Sequence, residues 1–430
     1  MSMPENTAYK IVCDLYRKNR NFCSSDYDHC LQYLNDLLPL RIYDYTSNDI
    51  FNGWEIPPKW DLIKGTISRD GKTIFEAHHP LQIIGLSKPF QGTVSCEMLK
   101  QNLHFDHRDP LSTPYHFRQN YRPWDRDWGF CVTKNFYDSL QPGSYEIDIQ
   151  TAESPGHLKI AEHVIRGSVP DAIAFVAHLD HPGMANDDLA GVAVGVEFFR
   201  RLSKQKLKFS YKLVLVQEII GSIYYLGQPP YGGKDVIESC FLEMLGSKTE
   251  LAIQKSRKGD TQLEKALEKV IQQQGLKYRI GPFKAVISND EPVWESYEIP
   301  MASISRFPYP EYHSDKDNPS IISPESLEES IQILLMTVAE MEKSTLMIKN
   351  FKGVLALSNP KFNLYVDPGQ PAFGSVAEES IQKLRLLMDL MPMFPSSIFV
   401  EKIAADTQLP IETVMNYLKL WEKKQLIQLK

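Results

Sequence analysis

Ala172-Ile173-Ala174-Phe175-Val176-Ala177-His178-Leu179-Asp180-His181-Pro182-Gly183-Met184-Ala185-Asn186-Asp187-Asp188 is the stretch on which the reading of this chain turns. An apolar run reads as a strand, and the loop after it crowds two histidines and three carboxylates together. In open α/β sheets, ligands gather beyond the carboxyl ends of the strands. Imidazoles and carboxylates in that position are the usual ligands of zinc and similar divalent ions. The plainer alternative is a polar loop that caps a helix beginning near Asp188.

Working outward, residues beyond 157 alternate between strand and helix patterns. Strands are expected at 158–166, 172–177, 211–217, 238–244, 250–254 and 284–287, and helices at 188–205, 261–274 and 325–345. This alternation implies an α/β fold with a largely parallel or mixed sheet flanked by helices. Residues 7–38 carry apolar positions at helical spacing, and Leu40–Tyr45 alternates like a strand. From about 50 to 148 short strand candidates lie between Pro, Gly and Asp turns, the pattern of an inserted β-rich module. A strand-rich segment is expected at 350–366, then a connector around Asp367-Pro368-Gly369-Gln370-Pro371, then helices over 377–430.

The chain has 430 residues, enough for two to three domains, with 43% hydrophobic and 23% charged residues, as in an ordinary globular protein. A net charge of −7 argues against nucleic acid as the main partner. The six cysteines are scattered without CxxC pairs, as expected of reduced thiols. The first residues lack the basic and apolar regions of a signal peptide. No apolar run approaches the length of a membrane span, so a cytoplasmic protein without membrane contact is expected.

Four further elements end at predicted strand termini or adjoining loops and offer ligands for a hydrolytic metal centre. Leu213–Val216 runs into Gln217-Glu218, and Phe241-Leu242 into Glu243. Ala285–Ile287 runs into Asn289-Asp290-Glu291, and Glu311-Tyr312-His313 precedes the helix at 325. Each alone reads equally well as a helix cap. Together they supply the neutral His, ionised carboxylates and proton-accepting Glu that such centres need.

In these residues the chain resembles the zinc exopeptidases that include bacterial leucyl aminopeptidases, glutamate carboxypeptidase and glutaminyl cyclase. His178-Leu179-Asp180, Asn186-Asp187-Asp188-Leu189-Ala190-Gly191, Glu218, Glu243 and Tyr312-His313 occupy that family's landmarks in order. A closer likeness is to bacterial aminopeptidase-like proteins of polysaccharide biosynthesis clusters. They carry a protease-associated-like β insertion and a C-terminal winged helix. His181-Pro182-Gly183-Met184-Ala185-Asn186-Asp187, Glu218–Ile223, Trp128-Gly129-Phe130-Cys131, Asp290-Glu291 and Tyr312–Asn318 match that branch.

The resemblance implies a zinc-exopeptidase-like domain at 1–48 and 149–350, an inserted protease-associated-like domain at 49–148 and a winged helix at 360–430. It implies one or two zinc ions. Asp187 would hold both ions or the only one, with His178 and Glu243 on one side and Glu218 and His313 on the other. Asp180 would orient His178, and His181 is a rival ligand. Two departures bear on activity. Gln217-Glu218 stands where aminopeptidases carry Glu-Glu, and an amide cannot accept a proton as a carboxylate does. Glu243 replaces the usual Asp. Either Glu218 is the base, or the base comes from elsewhere, such as Glu291.

Arg306 and Arg257, with Tyr312, are the candidates for holding substrate, although a structural ion pair explains each arginine as well. The 396–430 segment holds five Lys and four Asp/Glu, too balanced for a phosphate footprint, so a protein partner or self-association is expected there rather than DNA. The expected function is a metal-dependent aminopeptidase-like hydrolase, present as a homo-oligomer, that cleaves an amide or peptide bond in a small substrate. The alternatives are a degenerate exopeptidase fold acting by binding through its winged helix, and an amide-sugar deacylase on the same scaffold.

Overall fold

The computed structural model describes residues 7–47, 49–367 and 376–430. Its centre is an eight-stranded mixed sheet. In spatial order the strands are Arg41–Thr46, His157–Ile165, Ser210–Val216, Ala172–His178, Val236–Glu243, Met301–Ser305, Leu251–Gln254 and Tyr278–Gly281. Ala172–His178 runs parallel to both Ser210–Val216 and Val236–Glu243, which is itself parallel to Met301–Ser305. The register pairs His178 with Val216 and Val176 with Phe241, so Gln217-Glu218, His178 and Glu243 all lie at the carboxyl end of adjacent parallel strands. Parallel strands covered on both faces read as continuous apolar runs, and both Ala172–His178 and Ser210–Val216 are buried throughout.

Strand periodicity decides which side chain meets which layer. Ile173, Phe175 and Ala177 join Tyr211, Leu213 and Leu215 in a core closed by the helices Thr7–Leu15, Ser25–Leu37, Gly191–Leu202, Gln262–Gln273 and Pro324–Met341. Ala172, Ala174 and Val176 point the other way, into a second core with Val214, Val216, Tyr224, Tyr225 and Trp294. Gly191 opens its helix hard against the sheet. A Cβ there would lie 2.4 Å from the Leu242 carbonyl oxygen, so only glycine permits this approach.

The inserted module is built on the antiparallel pair Lys59–Arg69 and Ser144–Ser154, extended by Lys72–Glu76 and Phe90–Ser95. Trp60, Ile67, Phe130, Tyr145 and Ile147 form its core. Ser144–Ser154 runs through position 148 and leads directly into the central sheet. Toward the C-terminus the strands Ser397–Phe399, Leu346–Lys349 and Ile427–Leu429 form a small sheet. The helices Val376–Leu390, Val400–Thr407 and Ile411–Lys423 accompany it, with Val414, Leu418 and Trp421 at its centre.

Three local expectations differ from the structure. Residues 284–287 form no strand, because the Val286 and Ile287 N–H groups donate to the Gln254 side chain rather than to a ladder. The edge position is taken by Tyr278–Gly281 instead. Met301–Ser305, a short run of small residues without a strong apolar signal, is a fully buried strand. The expected strands at 350–366 are absent, and among the described residues the strand nearest in sequence is Leu346–Lys349. Of the connector, positions 368–371 lie outside the described residues. Among the described residues no helix is long and apolar enough to cross a membrane. Five of the six cysteines are buried, and all six are unpaired thiols.

Phe175 is completely buried between Phe198 and Phe199. Phe175→Ala is expected to cost about 3–5 kcal/mol, read as a lowered urea midpoint with an unchanged slope.

Candidate metal centre

The loop 179–190 that follows the central strand is buried almost without interruption, so its backbone groups must find partners inside the protein. Much of that demand is met by one side chain, Arg20, which is fully buried. Its guanidinium donates to the carbonyls of Leu179 (3.1 Å), His181 (2.6 Å) and Met184 (2.8 Å), and to Leu15 (2.7 Å) at the end of the first helix. From the opposite side, Asp317 accepts the N–H groups of Asn186 (2.6 Å) and Asp187 (3.0 Å), while Tyr309 donates its hydroxyl at 2.6 Å. Asp188 accepts from the N–H groups of His178, Gly191 and Met244, which ties the loop to two strands and a helix. So braced, His181 holds a left-handed backbone (φ +65°), as does His313 (φ +56°). Non-glycine residues adopt that region only where the surroundings over-determine it.

Between these braces lies a cluster of imidazoles and carboxylates. Ligand atoms of His181, Asp187 and His313 lie within 4.8 Å of one another, as do those of His178, Asp180 and His181. His313 Nε2 is 3.1 Å from Asp187 Oδ2, and His181 Nε2 is 3.1 Å from Glu218 Oε2. Nδ1 of His181 is buried without a hydrogen bond, with Asp187 Oδ1 at 3.7 Å and Asp180 Oδ1 at 3.8 Å. Burial alone would lower the His181 pKa, but the surrounding Asp187, Asp180 and Glu218 carboxylates outweigh it and raise it to about 10. Burial likewise favours a neutral Asp187, yet His181 and His313 hold it down to about 2. The carboxylates thus favour positive charge beside them, which a protonated imidazole or a bound cation would supply. Two imidazoles and a carboxylate, with one imidazole nitrogen left unpartnered, are a donor set that fits zinc.

Of the residues singled out in the sequence, His181, Asp187, His313, Glu218 and Asp180 come together here. His178 stands beside them, but its Nε2 is bonded to Asp290 Oδ2 at 2.5 Å. The carboxylate that orients His178 is thus Asp290 rather than Asp180, which accepts the Glu218 N–H at 3.2 Å. Glu243 is bonded to the Asn289 side chain, and burial, reinforced by Glu291, drives its pKa well up. Glu291 accepts from Gln254 Nε2 (2.9 Å) and the Asn289 N–H (2.8 Å). Gln217 turns away and donates to the Lys159 carbonyl, which leaves Glu218 as the member of the pair that faces the cluster.

Tyr312 stacks on His313 at 3.8 Å between ring centroids. Arg306 is buried between the Thr249 carbonyl and Glu329, and Arg257 lies on the surface beside Glu295, so both arginines are occupied in ion pairs. Arg20, Asp317, Tyr115 and Tyr121 join the site without a ligand-like signal of their own in the sequence. Asp317 lay within the Tyr312–Asn318 motif, whereas nothing local marks Arg20.

A family model described as "Domain of unknown function (DUF4910)" matches residues 9–344. The chain belongs to this family. A Clostridium acetobutylicum protein, 26% identical over 78% of each chain, has a name that joins polysaccharide biosynthesis to an aminopeptidase-like domain. A crystal structure of a C. acetobutylicum protein provisionally named a peptidase superposes with a TM-score of 0.74 at 22% identity, covering 98% of this chain and 96% of that one. A zinc aminopeptidase of Bacillus subtilis superposes with a TM-score of 0.59 at 14% identity, covering 78% and 94%. This DUF4910 chain therefore has the zinc-aminopeptidase-like α/β fold.

Replacing Arg20 by Met leaves the buried carbonyls of Leu179, His181 and Met184 without donors. A loss of about 3–5 kcal/mol is expected, measurable by chemical denaturation of the full chain.

Proposed function

We propose that this protein is a zinc-dependent amidohydrolase of the aminopeptidase type, holding one ion on His181, Asp187 and His313. The carrying observation is the juxtaposition of those three side chains with Glu218, whose carboxyl is kept ionised. Burial alone would raise the Glu218 pKa, but the hydrogen bond from His181 brings it below the ordinary range. His178 gives Nε2 to Asp290 and Glu243 gives one oxygen to Asn289, each keeping a second, unpartnered ligand atom, so the single ion is placed where His181, Asp187 and His313 converge beside Glu218. Bound there, zinc would acidify a water molecule and polarise the amide carbonyl.

The chain's own contribution is to hold and move protons. Glu218, fixed between His181 Nε2 and the Tyr121 hydroxyl, would take the proton of the attacking water and return it to the leaving amine. Tyr312, stacked on His313, lines the approach to the carbonyl. Gln217 is not needed as a base, because its side chain is engaged with Lys159.

Purified protein loaded with zinc is expected to retain one equivalent by elemental analysis, and Asp187→Ala or His313→Ala to lose it. Glu218→Gln should keep the metal while hydrolysis falls about 10²–10⁴-fold. The substrate panel pairs aminoacyl arylamides with N-acyl amino sugars, since the Clostridium relative's name brings in polysaccharide biosynthesis. Zinc uptake indifferent to Asp187 and His313, or turnover unaffected in Glu218→Gln, would refute the reading.

For the C-terminal body we propose a winged-helix unit that contacts protein, either another copy of the chain or a different partner. Its helix Ile411–Lys423 exposes Ile411 and Leu420 beside Asn416, a mixed surface on which Lys419 and Lys423 are balanced by Glu412 and Glu422. No retention of duplex DNA is expected even at low salt, where phosphate contacts are strongest. A stable low-salt complex in a gel-shift assay would show the opposite.

A further inference from the structure

The metal cluster is not built from the central domain alone. Within segment 106–121 of the inserted module, Pro114 forms an isolated antiparallel bridge with Ser314, in the loop that carries His313. The Tyr115 N–H donates to the His313 carbonyl at 2.9 Å, and the Asp315 N–H to the Thr113 carbonyl at 3.0 Å. Asp315 Oδ1 in turn accepts the Thr113 N–H at 2.8 Å. Arg108, gripped by both oxygens of Asp106, reaches the Tyr312 carbonyl at 2.8 Å.

The same segment supplies rings and a hydroxyl to the cluster. Tyr115 meets His313 edge-to-face at 5.3 Å and His181 at 5.5 Å, and Phe117 meets His313 at 5.5 Å. The Tyr121 hydroxyl donates to Glu218 Oε2 at 3.2 Å. His313 is thus enclosed by Tyr312 on one face and by Tyr115 and Phe117 at its edges, while its left-handed backbone is pinned from the module side.

We propose that segment 106–121 of the inserted module is a positioning element of the metal centre. It sets the backbone of His313 through the Thr113–Tyr115 pairing and the carboxylate of Glu218 through Tyr121. The inference rests on the proposed ion site on His181, Asp187 and His313. Groups that orient metal ligands commonly change metal affinity 10–100-fold when removed, and Asp315 offers a way to loosen the pairing without touching a ligand or a core residue.

The experiment compares full-length wild type, Asp315→Ala and Asp315→Asn by zinc competition against a chromophoric chelator. Amide hydrogen exchange over residues 309–317 is followed in parallel on the metal-free protein. Asp315→Ala removes the acceptor for the Thr113 N–H, so about 10-fold weaker zinc binding and faster exchange are expected. Asp315→Asn keeps an acceptor oxygen and should restore both. Zinc affinity equal to wild type in Asp315→Ala overturns the proposal, even where exchange rises. If wild type takes up no zinc, the functional reading above fails on its own. Exchange then decides the positioning role, unchanged protection in Asp315→Ala being the result against it.

Discussion

A single buried guanidinium sets the conditions under which this site exists. Arg20 stands in the connection between the first two helices, and its donors reach carbonyls on both the end of the first helix and the His/Asp loop. A buried positive charge is tolerable only with its donors satisfied, and the loop's buried carbonyls need donors equally. Each answers the other's requirement. Burial is the main influence lowering the Arg20 pKa, and the nearby Asp180 and Asp317 carboxylates oppose it. The loop is thus held as an irregular but rigid segment, which allows His181 to keep a backbone conformation that it would otherwise leave.

Within the braced loop, environment sorts chemically similar carboxylates into different roles. Asp187 and Glu218, facing imidazoles, are held ionised. Asp180 is raised to about 6, chiefly by burial, and burial also pushes Glu243, Asp188 and Glu291 up. Asp188 acts structurally, accepting three backbone N–H groups, whereas its neighbour Asp187 points into the cluster. Adjacent residues of one type are separated in function by which of them meets backbone donors and which meets imidazole nitrogens.

The inserted module joins this arrangement from a part of the chain that precedes the strands carrying the cluster. Its own core, around Trp60, Phe130 and Tyr145, would satisfy a self-standing β unit. Yet Tyr115, Phe117 and Tyr121 leave that core to meet His313, His181 and Glu218. Aromatic rings hold imidazoles by shape and edge-to-face attraction without adding charge, which suits a wall beside a cluster already crowded with carboxylates.

Much of the fold was legible in the sequence. The apolar run 172–177, the alternation of strand and helix beyond 157 and the β-rich character of 50–148 are local patterns, and periodicity reports them directly. The donor types were legible for the same reason: His178, His181, Asp187, Glu218 and His313 follow apolar runs or a turn-rich motif. What the sequence could not supply was the pairing. His178 faces Asp290, 112 residues away, and Arg20 reaches Leu179 across 159 residues. Such partners are chosen by sheet register and by the geometry of buried loops, which single residues do not encode. Local pattern was enough to gather imidazoles and carboxylates at the carboxyl end of the parallel strands of a mixed sheet. The tertiary structure alone decided which of them face one another, because a buried polar group takes whichever partner the packed chain brings within hydrogen-bond reach.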